Sequence, residues 1–171
     1  MIITSAQAAK LLKKYNEDYE AILEREKQTS VFLAALGEDP ETVRPEYCYN
    51  KTKEELEAVE SKVRKIKHAL NVFNTTHKVP GFDMTVDEML VFIPQLTKRK
   101  EKLAAMRANL PKSRVKTGFD RYGGSSIIDY LYTNYDMKTV KADYEETSDI
   151  LSQAQTALDK LNSTETFEIE L

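Results

Sequence analysis

Cysteine, tryptophan, histidine, glycine and proline are all scarce in this chain, and each shortage removes a class of protein. Cys48 is the only thiol, so no disulfide closes within the chain and no multi-cysteine metal cluster can form. Five glycines and five prolines among 171 residues, with no tryptophan, supply few breakers and turn-formers, which favours long helices over a strand-rich sandwich. The two histidines, His68 and His77, lack the spacing of a helix-borne metal pair, and Cys48 is too distant to form a nucleophile with either as its base. No Glu-x-x-His motif is present, which removes the di-metal carboxylate bundles. Nowhere do about 18 uncharged apolar residues run together, so no transmembrane segment is expected. The stretch from Met1 to Lys14 lacks the apolar core of a signal peptide, and the expected location is cytoplasmic. A net charge of −3 is too small to argue for wholesale nucleic-acid binding or for disorder.

What the sequence does contain is rhythm. Ala8, Leu12, Tyr15, Tyr19, Ile22, Glu26, Thr29, Leu33 and Leu36 fall at alternating steps of four and three residues, the stripe of one long helix. With Ser5 as its cap and Gly37 after its last turn, this helix is expected to be roughly 48 Å long. Glu26 and Thr29 interrupt the seam, and a charge at such a position either finds a partner or marks where the packing opens to water. A connecting loop, Glu38 to Asn50, carries Pro40 and Pro45. A second helix opens on the Thr52-Lys53-Glu54-Glu55 capping pattern, continues with Leu56, Val59, Val63, Ile66, Leu70 and Phe73, and stops between Asn74 and Gly81. A third opens on Thr85-Val86-Asp87-Glu88 and runs through Met89, Ile93, Leu96, Leu103 and Leu110, with a kink expected at Pro94. Lys100 and Arg107 occupy seam positions, where their stems cover apolar surface while their charges reach water. The fourth helix is expected from about Asp136 to Leu161, with Val140, Tyr144, Thr147, Leu151, Ala154 and Leu158 on its stripe.

Between the third and fourth helices the composition changes. Arg114 to Phe119 and Ser126 to Thr133 are rich in β-branched and aromatic residues around Gly123-Gly124, which predicts a short hairpin. No Lys-Ser or Lys-Thr follows the glycines, so a turn explains them better than a phosphate loop. In the tail Phe167, Ile169 and Leu171 alternate with Glu168 and Glu170. This pattern predicts a strand that joins the hairpin or another subunit. Cys48, between Tyr47 and Tyr49, is expected to be buried or half-buried packing rather than a reactive thiol.

Charge is distributed unevenly. Residues 98 to 116 carry +7 by count, leaving −10 for the remainder of the chain. The segment from Asp143 to Leu171 holds eight acids against Lys160. The candidate interaction surface is drawn from the basic stretch and its continuation: Lys98, Arg99, Lys102, Arg107, Arg114, Lys116, Phe119, Arg121 and Tyr122. Two readings compete for it. In one, the basic stretch and the aromatic hairpin around Phe119, Tyr122, Tyr130 and Tyr132 form a surface for a nucleic-acid backbone, with rings available for base stacking. In the favoured one, the cations meet the negative end of the third helix and the acidic fourth helix or tail, within a chain or across an interface.

The order of elements resembles a small bacterial family of helical proteins, the septicolysin-like family, whose biological role is not established. The resemblance rests on Asn71-Val72-Phe73-Asn74-Thr75 at the end of the second helix, the Thr85-led third helix, the Arg- and Tyr-bearing hairpin, and the closing Leu158-Asp159-Lys160-Leu161-Asn162-Ser163-Thr164. It spans roughly residues 5 to 165, with Pro94 as a departure from the pattern. The cytolysin-like name implies membrane activity, although each expected helix is too polar to cross a bilayer.

These observations predict a mainly α protein, an antiparallel bundle or coiled coil of long helices with a small β-hairpin element, forming a single helical domain over residues 1–171 with the hairpin inserted at about 112–135. Narrow apolar stripes on long helices leave edges that association would cover, at about 25 cal/mol per Å², so a homo-oligomer is expected. The functional expectation is a non-enzymatic interaction or scaffold protein presenting its hairpin end to a partner, with no catalytic, metal or cofactor site. A nucleic-acid-associated protein using residues 98–122 and a membrane-active protein are the alternatives. An enzyme whose site is assembled between subunits ranks third.

Overall fold

The computed structural model describes residues 1–114 and 129–171. The fold is mainly helical with small antiparallel two-stranded sheets, as the sequence pattern predicts. Its elements are β1 (Ile2–Thr4), α1 (Ser5–Thr29), α2 (Pro40–Val43), α3 (Tyr49–Thr76), α4 (Val86–Arg107), β2 (Lys112–Arg114), β3 (Tyr130–Tyr132), α5 (Met137–Thr164) and β4 (Thr166–Glu168). They fall into two compact units, one made of residues 1–78 and 159–171, the other of residues 79–158.

In the first unit α1 and α3 form an antiparallel pair. Ala8, Ile66 and Phe73 from the expected stripes are buried, and the remaining seam residues from Leu12 to Thr29 are half-buried. The apolar core lies at one end of the pair, where Ile3, Ala8, Ile66 and Ile169 pack with Leu11, Leu12, Tyr15, Ala69 and Phe167. Toward the other end the contacts turn polar. Tyr19 donates to Glu60 at 3.4 Å, Arg25 pairs with Glu55, and Tyr47 donates to Glu26 at 2.6 Å. The charge that breaks the seam thus has a partner. That hydrogen bond to Glu26, with burial second, raises the Tyr47 phenol to about 12.

Several sequence expectations are corrected here. α1 begins one residue after its cap, which is Thr4: its hydroxyl accepts from Gln7 N–H while Gln7 Oε1 accepts from Thr4 N–H, a closed capping box. The helix ends at Thr29, giving 25 residues and about 38 Å. In the register set by Arg25–Glu55 and Tyr19–Glu60, the start of α3 at Tyr49 faces the region of Val31. Further turns of α1 would have nothing to pack on, and propensity alone seldom holds a helix. Leu33 and Leu36 are therefore exposed, and Gly37 takes its left-handed φ of +89° in a turn closed by Glu38 N–H to Ala35 C=O at 3.0 Å.

α3 begins before its expected cap. Cys48 stands at the N-cap and is exposed, not packed, while Thr52 is a buried residue of the first turns whose hydroxyl donates to Cys48 C=O at 3.2 Å. Among the described residues the tail strand pairs with the first strand and not with the hairpin. β4 pairs antiparallel with β1, Ile3 opposite Phe167, and Met1 exchanges hydrogen bonds with Ile169 beyond it. The wholly apolar partner, Ile2-Ile3, was too short a run to register as a strand.

In the second unit, Thr85 closes a capping box with Glu88, and α4 continues through Pro94 on its exposed side. Val86, Met89, Leu96 and Leu103 are its buried stripe, and Val140, Thr147, Leu151, Ala154 and Leu158 are buried on α5, in the expected pattern. Asp136 caps α5 by accepting from Lys138 N–H, Thr139 N–H and the Thr139 hydroxyl. The Thr139 hydroxyl, ahead of the two backbone donors, holds its carboxyl below the usual range. Between the helices, β2 and β3 pair antiparallel, Ser113 opposite Leu131. The expected Gly123-Gly124 turn lies outside the described residues.

Candidate interaction surface

Capping and side-chain packing place the basic stretch in two settings. The first is the α4–α5 face. Arg99, Lys102 and Leu103 of α4 line a cleft of about 450 Å³ with Asp143, Glu146, Thr147 and Ile150 of α5. Cations and carboxylates share this open groove without an ion pair within 4 Å between them, so their attraction is long-range and weakened by salt. One turn further along, the Arg107 guanidinium lies 4.0 Å from the centre of the Tyr144 ring and Lys100 lies 5.8 Å from it, a cation–π arrangement. Tyr135 fixes the end of α4 by donating to Met106 C=O at 2.7 Å while accepting from Asn109 at 2.9 Å.

The second setting is the β2/β3 ribbon. Alternation along the strands puts Lys112 and Arg114 on one face with Tyr132 and Tyr130, their cross-strand partners. Lys112 Nζ lies 4.1 Å from the Tyr130 ring centre and 5.3 Å from that of Tyr132. No carboxylate among the described residues pairs with Lys112 or Arg114. Leu131, opposite Ser113, falls on the other face and is 65% exposed. The ribbon therefore offers water an aromatic and cationic face with an exposed leucine behind it.

Of the sequence candidates, Arg99 and Lys102 share the cleft with α5 acids, Arg107 rests on Tyr144, Arg114 is on the ribbon, and Lys98 is exposed on α4. Lys116, Phe119, Arg121 and Tyr122 lie outside the described residues. The sequence reading joined the basic stretch, Lys112 included, with Tyr130 and Tyr132 in one surface, and the strand register adds that Lys112, Arg114, Tyr130 and Tyr132 share a single face. It missed the exposed apolar segment after α1, whose residues continue the helical rhythm and so read as core.

The polar groups with shifted titration have structural partners. Burial, with Glu60 nearby, raises the Tyr19 phenol, and Tyr47 is held by Glu26 as described. His68 is exposed, whereas His77 stacks on Phe73 at 4.1 Å and places Nδ1 3.0 Å from Phe73 C=O. Among the described residues no group of His, Cys, Asp and Glu could hold a metal ion, and no helix is long and apolar enough to cross a membrane.

Neither the protein-family models nor the curated proteins contain a match to this chain. Among solved structures, the crystal structure of a functionally unknown conserved protein from Corynebacterium diphtheriae is similar over 98% of this chain and 100% of that one, with a TM-score of 0.60 and 14% identity. At that identity the likeness is one of fold alone.

Proposed function

We propose that this chain is a non-enzymatic helical interaction protein that self-associates and presents its hairpin end to a partner. The observation carrying this reading is the ribbon end. Two exposed tyrosines share one face with Lys112 and Arg114, cations that no carboxylate among the described residues pairs with, and Leu131 is 65% exposed on the other face. Scattered surface leucines need no explanation, but apolar and aromatic side chains grouped with unpaired charge are the composition of a contact surface. Light scattering on the chain across micromolar concentrations is the test. A mass above that of one chain, rising with concentration, is the expected result, and a persistent monomer overturns self-association.

The nucleic-acid reading has one observation in its favour. Lys112, Arg114, Tyr130 and Tyr132 share a ribbon face on which no acid among the described residues pairs with the cations, the combination that tracks a phosphate backbone and stacks bases. The α4 cations weaken it, because α5 carboxylates line the same cleft. Retention on heparin and on single-stranded DNA, falling steeply as salt rises, would support it. Passage through both columns at low salt would leave the protein-interaction reading alone.

A further inference from the structure

We propose that copies of this chain associate head to tail, the exposed tip of the α1/α3 pair in one copy seated on the β2/β3 ribbon of the next. This inference rests on the self-association proposed above and goes further by naming the two surfaces. The tip is the segment where the helical rhythm of α1 outruns its partner. Val31 is 75% exposed, Leu33 95% and Leu36 108%, as bare as in an extended peptide. An apolar run this exposed is unfavourable in water and calls for a cover. Among the described residues of the first unit none provides one.

Charge selects the cover. Residues 38–46, which follow the apolar run, carry Glu38, Asp39, Glu41 and Glu46 against Arg44, a net charge of −3. Arg44 is already engaged, paired with Glu41 at 2.6 Å and lying 5.4 Å from the centre of the Phe32 ring. The tip is thus apolar with an acidic border. The ribbon is its complement, with the exposed rings of Tyr130 and Tyr132 on one face beside Lys112 and Arg114. Tip against tip would press two acidic borders together, and ribbon against ribbon would do the same with two basic ones. Only the crossed pairing joins the apolar run to aromatic rings and acid to base. The negative border also disfavours an anionic lipid surface as the occupant. Since the two patches differ, the contact is heterologous, and repetition closes a ring or extends an open chain.

Complementation between two variants tests this. A tip variant, Leu33→Asp with Leu36→Asp, and a ribbon variant, Tyr132→Asp, alter side chains that are already exposed. Circular dichroism should show unchanged helix in both. Each alone is expected to be monomeric where the native chain assembles, while an equimolar mixture forms a one-to-one dimer, because the first keeps its ribbon and the second its tip. A second pair guards against local unfolding of the ribbon: Lys112→Glu with Arg114→Glu should fail to assemble alone and regain assembly with Glu38→Lys and Glu41→Lys. Assembly of either variant by itself at the native level, or mixtures that stay monomeric, would overturn the head-to-tail contact while leaving self-association intact. Flotation of the native chain with neutral phosphatidylcholine vesicles, lost in the tip variant, would assign the tip to lipid and overturn it too. A native chain that is monomeric throughout removes both proposals.

Discussion

Truncation of Phe73 to alanine is the perturbation that bears most directly on how the first unit is held together. Phe73 heads the fully buried side chains by volume and is 1% exposed, with its ring 4.1 Å from that of His77 and 5.0 Å from that of Phe167. Removing such a ring costs about 3–5 kcal/mol, from lost transfer energy and the cavity left behind. That is a large part of the roughly 5–15 kcal/mol that holds a domain folded. With a urea dependence of about 1–3 kcal/mol per molar, the midpoint followed by circular dichroism at 222 nm should fall by at least about 1 M. Because Phe167 is carried by β4, the same substitution should speed hydrogen exchange at Ile3 and Ile169. Phe167→Ala should cost less, since that side chain is only half-buried. In the Phe73→Ala background it should cost less still, by a ring–ring coupling of about 0.5–1.5 kcal/mol. A loss below about 1 kcal/mol for Phe73→Ala, or strictly additive losses in the double variant, would refute the reading that the Phe73 ring and its contact with Phe167 help hold the unit together.

Three further outcomes are expected. Pro94→Ala should stabilise the chain by up to about 3 kcal/mol, because the exposed proline denies α4 an interior hydrogen bond; thermal unfolding that shifts downward would show that Pro94 serves the packing. In a tyrosinate titration at 295 nm, one of the nine tyrosines should ionise late, at about 12, and Tyr47→Phe should remove that step. Since the folded phenol holds its proton more tightly than an unfolded one near pH 10, its contribution is complete below that pH and disappears as pH climbs toward 12. Replacing Tyr144 by leucine should lower stability by about 0.5–1 kcal/mol through loss of the Arg107 contact, and a double-mutant cycle with Arg107→Ala should show that coupling; its absence would mean the two merely lie near each other.

The helical stripes were readable because their rhythm is local. Ala8, Ile66, Phe73, Met89, Leu96 and Leu151 all occupy expected seam positions and are buried. Helix ends followed a different logic. Leu33 and Leu36 keep the rhythm yet lie outside α1, because the limit was set by where α3 begins, a long-range fact absent from the local pattern. Thr52 carries a capping pattern, but Cys48 takes the N-cap and the hydroxyl serves an interior role. The β1–β4 pairing joins three-residue segments from opposite ends of the sequence, and runs so short carry little periodic signal. The ribbon surface was half-visible: its cations and aromatics could be counted, but their common face depends on the cross-strand register.

The pairing of β1 with β4 also imposes an order on synthesis. A ribosome makes β1 before the 79–158 unit and its mate only after that whole unit has been produced. Until then Ile3 has no strand to cover it, and the nascent chain carries a bare apolar edge of the kind that recruits strangers. Slow elongation over α5 would lengthen that interval, so the yield of native protein should respond to translation speed there as well as to stability.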